Sequence, residues 1–148
     1  MYENYYIGKI VYIKDIVFTD GSTNKLDHAY KKGRPCLLIY SDDEYDYFLT
    51  ISSEIKTKSY TFEYYKLCPD DFMYLYEYTG VDAKKDASYA HGYVNIRNIY
   101  KKRVSGFGVN DSGKIKLEAY KAIIDKLKYL HNNENMNEIV NDARVIGR

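Results

Sequence analysis

The chain has 148 residues, 45% of them hydrophobic and 29% charged, which excludes a disordered or fibrous protein and suits one domain with a core of its own. Its formal net charge of +1, two cysteines without CxxC spacing and three dispersed histidines indicate neither a disulfide framework nor a zinc site. No apolar run comes near the roughly 18 residues of a membrane span, and Met1 to Tyr5 lack the basic and apolar parts of a signal peptide, so a soluble cytoplasmic protein is expected.

Lys9 to Ile13 is rich in β-branched residues and predicts a strand, which Ile16 to Phe18 extends toward the turn-forming cluster Thr19 to Asn24. The polar stretch continues to Pro35, longer than an ordinary connection, so it is a candidate functional loop. Cys36 to Tyr40 is a continuous apolar run of the kind that forms a buried strand, with Pro35 tolerated at its first position. Ser41 to Asp46 reads as a turn and Tyr47 to Ser52 as the returning strand of a hairpin. Ser59 to Leu67 and the alternating run Tyr93 to Tyr100 complete a mostly antiparallel sheet of about five or six strands.

From Asp111 the period changes. Asp111 or Ser112 is placed to cap a helix on whose apolar stripe Ile115, Ala119, Ile123, Leu127 and Leu130 recur, with lysines mostly off that stripe. Asn132 to Asn135 stops it. The expected organisation is one mainly β (α+β) domain over residues 1–131, with 132–148 a polar tail or short helix.

Two features bear on chemistry. Gly108 to Lys114 matches most of a phosphate-binding GxxxxGK loop, but Ile115 stands where that motif needs Ser or Thr, and a plain turn before a helix explains it better. Folding the hairpin about Glu44 sets Cys36 opposite Ser52 and Leu38 opposite Thr50, with Arg34 diagonal to Ser52 at about 7 to 8 Å. A guanidinium and a hydroxyl then share one sheet end, with His28 in the preceding loop. That trio suits cleavage of RNA by its own 2′-hydroxyl, which needs proton transfer and fixed positive charge on the phosphorane. The plainer alternative is an Arg34–Glu54 ion pair across the same strands.

Residues 1–80 hold 9 Lys/Arg against 13 Asp/Glu, whereas residues 84–128 hold 11 against 4. The second stretch is either a solvated helix face or an attraction for a polyanion. Tyrosine accounts for 19 residues against 5 Phe and no Trp, so most aromatic surface carries a hydroxyl. Tyr30, Tyr89 and Tyr93 suit either base stacking or sheet packing.

Four segments in order, Gly8-Lys9-Ile10-Val11-Tyr12, Lys32-Gly33-Arg34-Pro35-Cys36-Leu37-Leu38-Ile39, Ile51-Ser52-Ser53-Glu54-Ile55 and Asn95 to Val104, stand ahead of a terminal amphipathic helix. Over residues 7–130 the chain resembles the MazF/PemK (Kid-like) toxins of bacterial toxin-antitoxin systems. The resemblance implies a small SH3-like antiparallel β-barrel with a C-terminal helix, assembled as a homodimer, and a metal- and cofactor-independent endoribonuclease. Such an enzyme cleaves single-stranded RNA at a short sequence, leaving 2′,3′-cyclic phosphate and 5′-hydroxyl ends.

By that resemblance Arg34 matches the catalytic arginine of the family's RP motif, and Ser52 falls where the family has a catalytic threonine. His28 matches no family position and rests on the local argument. Lys31, Lys32, Ser53 and Lys56, which flank these residues, are the expected RNA contacts. The partner implied is an antitoxin, protein or RNA. The segments from Thr19 to Gly33 and Tyr60 to Lys85 are longer than their family counterparts, and Asn98 replaces a usual threonine. The competing expectation is a non-catalytic SH3-like toxin or binding module that inhibits a protein target such as DNA gyrase, since a fold does not fix its function.

Overall fold

The computed structural model describes residues 7–13, 34–52, 63–75, 88–103 and 113–145. Strand β1 (Lys9–Ile13) pairs antiparallel with β2 (Arg34–Ser41), and β2 pairs antiparallel with β3 (Tyr45–Ser52). Further along come β4 (Tyr64–Lys66), β5 (Phe72–Leu75), β6 (Tyr93–Asn95), β7 (Tyr100–Arg103) and β8 (Gly113–Ile115). Helices α1 (Leu117–His131) and α2 (Met136–Ile139) follow, and β9 (Arg144–Val145) ends the described chain. Among the described residues the sheet has nine strands and runs β4-β6-β3-β2-β1-β8-β5, with β7 on β3 and β9 parallel to β7. It is otherwise antiparallel and curls into a half-barrel.

The strand count exceeds expectation, in part at two stretches that the sequence reads otherwise. The run from Tyr93 to Tyr100 is two strands, because the Asn95 side chain accepts the Arg97 N–H at 2.9 Å and turns the chain. Ile96 and Ile99 are then both buried at a spacing of three, which a single strand would not allow. β6 pairs with Ile51 and Ser52 while β7 pairs with Tyr45 to Phe48, so the two pieces occupy successive stretches of one edge of β3. Residues 113–115 form a strand between β1 and β5 rather than the first helical turn. Ile115 therefore belongs to the sheet core, and α1 starts after Lys116. Asp111 and Ser112, expected as caps, lie outside the described residues.

The β2–β3 pairing contains a bulge. Leu38 faces Phe48 and Tyr40 faces Tyr47, so Ile39 is the extra residue. From Leu38 toward Arg34 the register is offset by two from the expected one, with Cys36 opposite Thr50 rather than Ser52. The carbonyl of Ile39 accepts a hydrogen bond from the Tyr120 hydroxyl of α1 at 2.6 Å. Burial, with Tyr40 adding to it, pushes the Tyr120 phenol up to about 12.

The two faces of the sheet carry two apolar clusters. Ile10, Leu37, Leu49 and Ile51 join Ala119, Ile123 and Leu127 of α1 in the main core, to which Ile139 and Val140 also belong. Val11, Ile13, Cys36, Phe48 and Tyr100 alternate with them and form a smaller cluster on the opposite face. At the end of α1, Asn132 takes the left-handed conformation at φ 51°, and its N–H donates to the carbonyls of Lys128 and Tyr129.

The hairpin tip is held by Asp42. Its carboxylate accepts the Tyr47 hydroxyl at 2.7 Å, the Tyr45 N–H at 2.8 Å and the Glu44 N–H at 2.9 Å. The Tyr47 hydrogen bond first, and these N–H groups with it, hold that carboxyl below its usual value. A carboxyl lowered on folding stabilises fully above the ordinary aspartate pKa of about 3.9, and that contribution disappears as pH falls through the lower folded value. Asp42→Asn should therefore be less stable than wild type near neutrality, and the gap should narrow in urea titrations as pH falls below the ordinary aspartate pKa of about 3.9. Tyr120→Phe, which leaves the bulge carbonyl without its donor, should lose about 1 to 3 kcal/mol in urea unfolding, whereas Tyr129→Phe at an 84% exposed position should change nothing measurable.

Candidate functional site

Arg34 begins β2 and Ser52 ends β3, at the end of the hairpin away from its tip. Continuing the Cys36–Thr50 register by two residues sets Arg34 level with Ser52, so the two lie directly across from each other rather than on a diagonal. The guanidinium Nη1 donates to the Ile51 carbonyl at 3.4 Å, which seats the charged group against the residue before Ser52. Both side chains are half-buried, whereas Thr50, one pair further in, is buried. Of the two hydroxyls on this stretch of β3, Ser52 is the accessible one.

The same level continues across the sheet. Arg34 pairs with Ile13 on one side, Ser52 pairs with Tyr93 of β6, and Tyr93 pairs with Lys66 of β4. Residues directly opposite one another project from the same face. Because Ile51, Val94 and Leu67 point into the main core, Arg34, Ser52, Tyr93 and Lys66 all stand on the other face, in one row. The Lys66 ammonium lies 5.0 Å from the Tyr93 ring centroid, and Tyr64 meets Tyr93 edge to face at 6.4 Å. A guanidinium, a hydroxyl, a phenol ring and an ammonium thus share one surface.

Cys36 is the neighbour of Arg34 on this face, and its thiol donates to the Arg34 carbonyl at 3.4 Å. Burial pushes the thiol pKa far above its ordinary value, against a smaller opposite pull from the Arg34 charge. It is packing material, not a nucleophile. Glu63 is also buried, and both its oxygens accept from Nη1 of Arg97 at 3.2 and 3.3 Å. That ion pair fixes the start of β4 to the turn after β6.

The chain matches no family model, no curated protein and no solved structure. Among the described residues, no group of three or more His, Cys, Asp or Glu is placed to hold a metal ion, and no helix is long and apolar enough to cross a membrane. Of the expected site residues, the structure brings Arg34 and Ser52 together; His28, Lys31, Lys32, Ser53 and Lys56 lie outside the described residues, as does Glu54, the alternative partner of Arg34. Nothing in the sequence singles out Lys66, because no local signal indicates that β4 lies beside β6. Tyr93 is one of three tyrosines that the sequence offers for base stacking or sheet packing, and its pairing with Ser52 is what distinguishes it.

A hollow of about 700 Å³ lies elsewhere, near the hairpin tip, with Lys9, Tyr40, Asp42, Asp43 and Tyr120 in its lining. Its two carboxylates make it a poorer host for a polyanion than the Arg34 row. The residues 113 and 114 of the GxxxxGK-like segment are in strand β8, so the loop-to-helix geometry of a phosphate-binding loop is not formed there.

The contrast between the two thiols is directly measurable. Cys36 is buried and Cys68 exposed, so a thiol reagent at mildly alkaline pH should modify one cysteine per native chain and two in denaturant. Rapid labelling of both in the native protein would show that the Arg34 face opens.

Proposed function

We propose that this protein is an endoribonuclease of the MazF/PemK toxin type, acting on single-stranded RNA without a metal. The observation that carries the reading is the level placement of Arg34 and Ser52, with the guanidinium seated at the Ile51 carbonyl. The antiparallel half-barrel with a helix packed on it accords with the SH3-like barrel of that family. A homodimer, an antitoxin of protein or RNA and a cytoplasmic setting belong to the same proposal.

In the proposed reaction the substrate's 2′-oxygen attacks the adjacent phosphorus as a base removes its proton. The bond from phosphorus to the 5′-oxygen breaks, and that oxygen takes a proton as it leaves. The products are a 2′,3′-cyclic phosphate and a 5′-hydroxyl. Arg34 neutralises charge on the non-bridging oxygens, which grows as the phosphorane forms. Ser52 donates a hydrogen bond to one of them and fixes the phosphate against the sheet. His28 is the proposed proton-transfer group, its imidazole suited to either direction near neutral pH.

In a non-catalytic module directed at a protein such as DNA gyrase, Arg34 would instead be an ion-pair partner, with its hydrogen bond to the Ile51 carbonyl serving the fold. Incubation with long mixed-sequence RNA in EDTA separates the two. Wild type should cut at a short shared sequence and leave cyclic phosphate ends, and Arg34→Ala should cut at least about 100-fold more slowly while remaining folded. Intact RNA in the presence of folded wild type would favour the binding module.

A further inference from the structure

The row that contains Arg34 and Ser52 does not stop at β3. Ser52 is paired with Tyr93, and Tyr93 with Lys66, so three strand intervals of about 4.8 Å carry the row about 14 Å from β2 to β4. That length exceeds what one phosphate needs. At its far end the ammonium is held in place: Lys66 Nζ donates to the Leu67 carbonyl at 3.3 Å and to the His91 carbonyl, and it lies over the Tyr93 ring. Two of its three N–H groups are used, which leaves one for an incoming anion. Tyr64, two residues before Lys66, braces Tyr93 from the side at 84°. The result is an oriented cation and an oriented aromatic ring on rigid strands, the pair of elements that single-stranded nucleic acid binding combines.

We propose that Tyr93 and Lys66 form a second subsite that holds a nucleotide flanking the scissile phosphate, with Lys66 neutralising its phosphate and Tyr93 stacking on its base. This rests on the RNA reading of Arg34 and Ser52 and adds the direction in which the strand runs, from β2 across β3 and β6 to β4. Tyr64 is a positioning residue that keeps the Tyr93 ring upright.

The test uses an uncleavable probe, a mixed-sequence single-stranded RNA with every 2′-hydroxyl methylated, bound to the full chain and followed by fluorescence anisotropy at several salt concentrations. Tyr93→Leu should weaken binding by about ten-fold or more, and Tyr93→Phe, which keeps the ring, should stay within about two-fold of wild type. Lys66→Gln should weaken binding and lower the slope of log affinity against log salt by about 0.7, the share of one phosphate on a single strand. A merely structural lysine would not move that slope. Should Lys66→Gln fail to fold, Lys66→Met keeps the apolar stem against the ring and should show the same slope.

If the folded Lys66 and Tyr93 variants bind with wild-type affinity and slope while wild type still cuts unmodified RNA, the subsite is wrong and the ribonuclease reading stands. If folded wild type neither binds the probe nor cuts RNA, the reading and the subsite fall together.

Discussion

The single extra residue in β2 sets the strand register on which both the core and the Arg34 row depend. Were Ile39 paired in the ladder, the register set at Tyr40 and Tyr47 would continue without interruption, and Leu37 and Cys36 would each face the wrong partner on β3. The bulge removes that one-residue offset, so that Leu37 meets Leu49 inside the core and Cys36 meets Thr50 on the other face. A bulge leaves a backbone group outside the ladder, and here the Ile39 carbonyl is satisfied by Tyr120 of α1. Helix docking and strand register are thereby linked through one hydrogen bond. The level position of Arg34 with Ser52 is a consequence at the far end of the same strands.

The two faces of the sheet have different tasks. One face packs on α1 and on the residues after it, with Ile139 and Val140 buried, and provides most of the apolar burial. The other has a smaller apolar cluster around Cys36, edged by the polar row from Arg34 to Lys66. Placing a charged row beside a small packed cluster keeps its backbone rigid while leaving the side-chain tips in reach of solvent. The guanidinium of Arg34 and the ammonium of Lys66 both donate to backbone carbonyls, so neither charge has to be ordered by a ligand from a fully mobile state.

The tyrosine-rich composition resolves into distinct physical uses. Tyr47 and Tyr120 pack their rings with the main core and direct their hydroxyls to Asp42 and the Ile39 carbonyl. Tyr45 lies under Lys101 and Arg103, with ring centroid distances of 4.5 and 5.4 Å, at the tip where the acidic turn sits. Tyr64 and Tyr93 stand on the outer face near the cationic row. At the tip the carboxylates Asp42, Asp43, Glu44 and Asp46 face the cations Lys101, Lys102 and Arg103 of β7, with Arg103 3.7 Å from Glu44.

Local pattern was enough for the elements that depend on it alone. The β-branched run of β1, the apolar run of β2 and the three- and four-residue spacing of Ala119, Ile123 and Leu127 are legible because a strand and a helix each impose their period on neighbouring residues. The stop at Asn132 is legible because asparagine tolerates the left-handed conformation. Arg34 and Ser52 were legible as a pair because a hairpin brings its two ends together whatever its register. What the chain alone did not reveal was every feature set by distant partners. The bulge at Ile39 depends on a helix 81 residues away, the break between β6 and β7 on a shared edge of β3, and the place of Lys66 on a strand pairing across 27 residues, from 66 to 93. These are decided by which surfaces can be buried together, and that is a property of the assembled sheet, not of any stretch of sequence.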